Sequence, residues 1–131
     1  MTTGLNATVA NALLNALARA ANYTAPVAFY VKLHTGDPGS AGTANAAANT
    51  TRESATFGSG ASGGSIASTA DVTWTSVPNS ETYSHVSFWD ASSSGNFIGS
   101  TALSSSRSVT AGDDFTIPST DLTLSITPIA A

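Results

Sequence analysis

Val27-Ala28-Phe29-Tyr30-Val31-Lys32-Leu33-His34-Thr35-Gly36-Asp37-Pro38-Gly39 carries the reading of the fold. Successive side chains of a strand point to opposite faces. Val27, Phe29, Val31 and Leu33 therefore share one face, and Ala28, Tyr30, Lys32 and His34 the other. The pattern predicts a half-buried strand with a core face. Gly36-Asp37-Pro38-Gly39 ends it, because Pro38 lacks a ladder donor and Asp37 starts a turn through its own side chain. A structural role is expected for the whole motif, Leu33, His34, Thr35, Gly36, Asp37, Pro38 and Gly39, with His34 at the strand end hydrogen-bonding the turn.

Downstream, residues 40–51 hold no apolar side chain larger than Ala, which predicts a long loop over 36–51. Loops of that length are functional or flexible. A short strand is expected at 52–57, then a Gly/Ser-rich turn at 58–64. Further strands are expected at 65–68, 70–75, 82–90, 96–103, 107–110, 114–117 and 121–127. The strand at 82–90 has Val86 and Phe88 on one face and Tyr83, His85 and Trp89 on the other, which places it centrally. Many short strands with no helix between them exclude a parallel α/β sheet. They predict a mainly β fold, a single antiparallel β-sandwich (jelly-roll or Ig-like) over 27–127 within one domain spanning 1–131.

Upstream, Leu5, Val9, Leu13 and Leu17 recur every four residues with Ala12, Ala16 and Ala20 beside them. This predicts one N-terminal α-helix over 4–21 with a narrow apolar stripe, capped by Thr2 or Thr3 and ended before Pro26. Amphipathic terminal helices usually cover their own core, and that is the expectation. The alternative is docking on another subunit, with Leu5, Val9, Leu13 and Leu17 as the candidate interface.

Charged residues make up only 9% of the chain, far below the usual quarter. The surface is therefore expected to consist of Thr- and Ser-rich strands. Arg19, Lys32, Arg52 and Arg107 are scattered and the net charge is −4. Nucleic-acid binding needs clustered cations, and a membrane surface needs a basic amphipathic helix, so neither partner is expected. Cysteine is absent, which excludes disulfides and thiolate metal sites and favours synthesis in a cytoplasm. Neither a signal peptide nor a transmembrane span is read.

Little in the chain carries chemistry, and no catalytic residue, cofactor or metal is expected. His34 and His85 lack a third ligand at suitable spacing. No nucleophile elbow sits between a strand and a helix. Asp113 and Asp114 are adjacent, so their carboxylates splay apart, leaving at most a weak cation site. Trp74, Tyr83, Phe88 and Trp89 suit core packing, with a carbohydrate platform as the alternative reading.

The motif at 33–39 resembles one carried by small bacteriophage virion proteins of the minor tail, tail-fibre and head-decoration kinds. Gly42-Thr43-x-Asn45, Arg52, the run from Phe57 to Ile66 and Ala70-Asp71-Val72-Thr73-Trp74 follow in the expected order. So do Val86-Ser87-Phe88-Trp89-Asp90-Ala91, Gly95-Asn96 with Ile98, Leu103 to Val109, Ala111-Gly112-Asp113 and Asp121-Leu122-Thr123-Leu124. The resemblance covers about 27–127, and departs in the Ala- and Asn-rich segment 45–54. It implies a non-enzymatic virion structural protein, made in the host cytoplasm, that associates as a homo-oligomer with the major capsid protein or other virion proteins. Capsid decoration on the head surface is the first expectation. A minor tail or tail-tip protein is the second, and a carbohydrate-binding module the third.

Overall fold

A computed structural model of the chain describes residues 3–126. Its elements run β1 (Gly4–Leu5), α1 (Ala7–Arg19), β2 (Phe29–His34), β3 (Glu53–Ala55), β4 (Ser65–Ala67), β5 (Val72–Trp74), β6 (Glu81–Trp89), β7 (Phe97–Val109), β8 (Phe115–Ile117) and β9 (Thr123–Ser125). Five strands form one sheet in the order β1-β7-β6-β2-β3, while β4 pairs with β9 and β5 with β8 in two ribbons. Every pairing is antiparallel. The fold is a mainly β, antiparallel sandwich with one N-terminal helix.

The core lies between the large sheet and the ribbons. Val31, Leu33, Val86 and Phe88 from the sheet meet Val72, Trp74, Phe115 and Ile117 from one ribbon, all nearly inaccessible to solvent. Tyr83 stacks edge-on against Phe115 with centroids 4.9 Å apart. Burial of each such side chain contributes about 1.5–3 kcal/mol, and the aromatic edge contacts fix how the two layers seat on each other.

Several boundaries differ from the sequence reading. The helix is shorter than 4–21. Gly4 and Leu5 pair with Ser100 and Gly99 as a strand, and the Asn6 N–H donates to the Ile98 carbonyl. The cap is Asn6, whose side chain accepts from the Thr8 N–H at 2.8 Å. Thr3 precedes the strand, and Thr2 lies outside the described residues. The helix ends at Arg19, well before Pro26, because Ala20 turns left-handed (φ 52°) and the Ala21 N–H donates back to the Asn15 carbonyl.

Val27 was expected on the core face of the first strand. It precedes β2 and is fully exposed. The separate strands at 96–103 and 107–110 are one strand, β7. Its register on β6 shifts at the expected break: Tyr83 pairs with Arg107 but His85 with Ala102, so residues 83 to 85 of β6 span residues 102 to 107 of β7. The surplus serines bulge out, and the irregularity carries Tyr83 onto the face of Val86 and Phe88. The last strand is confined to Thr123–Ser125, and Thr127 lies outside the described residues.

Candidate interaction surface

The motif at 33–39 organises the loop behind it. Leu33 and His34 are both fully buried. The Thr35 N–H donates to the Asn45 carbonyl at 2.8 Å, and the Ala47 N–H to the Leu33 carbonyl at 3.1 Å. Asp37 Oδ1 accepts from the Gly39 N–H at 2.8 Å, and Asn45 Nδ2 donates to the Asp37 carbonyl at 2.9 Å. The chain from 36 to 47 is thereby folded back along the end of β2.

His34 acts on that loop more than on the turn itself. Its Nδ1 lies 2.8 Å from the Ala44 carbonyl and its Nε2 2.8 Å from Ser87 Oγ. A carbonyl only accepts, so Nδ1 carries the proton and Nε2 accepts from the Ser87 hydroxyl. Ser87 Oγ in turn accepts from Trp89 Nε1 at 2.8 Å. Burial holds the imidazole below its ordinary pKa, opposed by the bond to Ala44. Both ring nitrogens are occupied, which leaves no lone pair for a metal. Among the described residues, no three His, Asp or Glu side chains gather.

A second structural centre surrounds Arg52. Its guanidinium lies over the Trp89 ring and donates to the carbonyls of Ala91 and Ser94 at 3.0 and 2.6 Å. Asp90 accepts from the backbone and side-chain amides of Asn96, which hold its carboxyl below the usual range. The turn between β6 and β7 is thus pinned from both ends. Asp113 and Asp114 are likewise engaged separately, accepting from the N–H groups of Thr110 and Ser76.

The aromatic residues weighed as a carbohydrate platform are inside the protein. Trp74, Tyr83 and Phe88 are inaccessible and Trp89 is 7% exposed beneath Arg52. Trp74 Nε1 donates to the Thr51 carbonyl at 3.0 Å. A glycan would have no ring face among these four to stack on.

Among the described residues, Leu14, Leu17, Tyr23, Val27 and Ile126 are the large apolar side chains left exposed, two of them on the helix. No residue of α1 is fully buried; Val9, with Leu5 just before the helix, packs half-buried against the core. Leu5, Val9 and Leu13 also form one wall of an open cavity of about 270 Å³. Tyr23, Phe29, Ile66, Ile98, Leu124 and Ile126 line the rest. The predicted stripe is therefore divided: three of its leucine and valine side chains come together, while Leu17 stands one turn beyond, 84% exposed. Leu14 and Val27, also exposed, were not singled out by sequence. The Leu13-Leu14 doublet widens the stripe and was the available signal for Leu14. No pattern of neighbouring residues marks Val27, which alternates like a core position.

The chain is thus an antiparallel sandwich whose turns are held by side-chain hydrogen bonds, with an apolar cavity open beside its helix. The sequence pattern of the family described as Podophage GP4 fiber I protein gp80 matches residues 4–125. The chain belongs to that family, and so to the phage virion structural proteins. No curated protein matches the chain.

Proposed function

We propose that this chain is a non-enzymatic component of a virion fibre, held in the particle by contacts with other virion proteins. The observation that carries the reading is the open apolar cavity beside Leu5, Val9 and Leu13 on a member of a fibre-protein family. Such an apolar wall is stable in water only at the expense of exposed apolar area, and it gains by docking. The family description supports placement on a fibre over head decoration, the first expectation from sequence.

Immunogold electron microscopy of intact virions with an antibody against the chain tests this. Label confined to fibres is the expected result. Label spread over the heads would replace the fibre reading with capsid decoration.

A further inference from the structure

The register of β2 on β3 pairs Tyr30 with Ser54 and Val31 with Glu53, which sets Lys32 across from Arg52. Side chains alternate along each strand, so both cations lie on the face of the large sheet turned away from the buried Val31 and Leu33. Tyr30 shares that face and pairs with Trp89, over whose ring Arg52 sits. Two of the chain's 4 bases thus stand side by side in a protein of net charge −4.

Like charges directly across a ladder destabilise a sheet. Burial and the charge of Arg52 both lower the pKa of Lys32, so the pair is held together at a cost. The fold does not offset it. Among the described residues the one ion pair joins Arg107 to Asp121. Asp90 attracts Arg52, but its oxygens already accept from the backbone and side-chain amides of Asn96. Glu53 pairs with Val31 and so takes the other face. Arg52 has structural work in the turn between β6 and β7. Lys32 has none, and an ammonium kept in that place is explained by an anion arriving from outside.

The shape of the site narrows the anion. Neither Lys32 nor Arg52 lines the cavity beside the helix or the groove at the sheet edge. A small free anion would stay hydrated over this open sheet, where isolated charge pairs contribute little. A carboxylate carried on a protein surface is held in place by the contacts around it, and half-buried Tyr30 and exposed Ser54 offer such contacts. The Trp89 ring is covered by Arg52, so a sugar has no face of it to stack on.

We propose that Lys32, with Arg52 beside it, receives an acidic side chain of another virion protein on the outer face of the large sheet. The proposal rests on the virion-structural reading above and names the chemistry of the partner.

Nuclear magnetic resonance of the full chain, titrated with hexaglutamate at low salt, tests it. The expected result is saturable amide shifts at Tyr30, Lys32 and Arg52 that fade at about 0.5 M salt. Lys32→Gln should weaken binding at least about threefold. Its thermal melting should stay level or rise, because a repelled charge is removed. Lys32→Arg keeps the charge and should keep the binding.

Absence of shifts at these residues overturns the proposal, as does binding that Lys32→Gln leaves intact. Early melting of Lys32→Gln also overturns it, since the ammonium then serves the fold. Polygalacturonate is titrated in the same way. If it binds at Lys32 and hexaglutamate does not, the site belongs to an acidic polysaccharide and the protein partner is ruled out. Immunogold label on fibres without hexaglutamate binding strikes this partner alone, whereas label absent from virions overturns the structural reading with it.

Discussion

The guanidinium of Arg52 lies 3.8 Å from the centre of the Trp89 ring. From that seat it reaches two carbonyls of the 91–94 turn, so one side chain joins the start of β3 to the far end of β6.

Arg52→Ala should therefore destabilise the chain by about 2 kcal/mol, through loss of the cation–π contact and two charge-assisted hydrogen bonds. Arg52→Lys should recover only part of this, since an ammonium lacks the planar fork. Urea unfolding followed by Trp fluorescence measures both variants.

His34 makes stability depend on pH. Burial lowers its pKa in the folded chain below the ordinary 6.5, with the positive charges of Lys32 and His85 acting in the same direction. As pH falls, the unfolded chain takes up the proton first. The His34 contribution is thus full above about 6.5 and is lost as pH falls from there toward the lower folded-state pKa. Urea midpoints at about pH 8, 7, 6 and 5 should decline on the acid side. His34→Gln should flatten that part of the profile, lowering stability by about 1–3 kcal/mol above neutral pH, with the gap to the parent narrowing on the acid side.

Gly42 and Gly112 separate two costs of losing a glycine. Both have positive φ, +71° and +93°. A Cβ at Gly42 would occupy the space of the Phe97 ring, which packs 5.4 Å from Trp89, whereas a Cβ at Gly112 meets nothing. Gly112→Ala should cost about 1–2 kcal/mol for the left-handed backbone alone. Gly42→Ala should cost about 2–4 kcal/mol, because overpacking is added. Differential scanning calorimetry of the two variants gives the comparison.

Trp74 and Trp89 are both buried, so monosaccharides and oligosaccharides should leave the fluorescence spectrum unchanged. Phe88→Ala, by contrast, should shift the spectrum and cost about 3–5 kcal/mol, since it opens a cavity against Phe29 and Phe57. Fluorescence titration and chemical denaturation check the pair.

The strands were legible where one residue in two is large and apolar. Val31, Leu33, Val86 and Phe88 alternate and are inaccessible. Helix 7–19 was legible from its stripe, but its start was not. Nothing local in Gly4-Leu5 announces pairing with Gly99 and Ser100, which lie far along the chain. The 104–106 serines looked like a break between strands because they lack apolar alternation, yet they form the bulge of a continuous strand.

The sequence by itself determined a charge-poor antiparallel β fold with one amphipathic helix at its start, because side-chain periodicity and turn chemistry are local properties. Tertiary structure alone decided which apolar residues stay in water. Val27 and Val31 are the same residue type at positions of the same parity, yet one is fully exposed and the other fully buried. The difference arises because β3 and β6 both lie against Val31, while β2 begins only at Phe29. Burial depends on which distant strands arrive alongside a residue, and alternation within a segment carries no record of them.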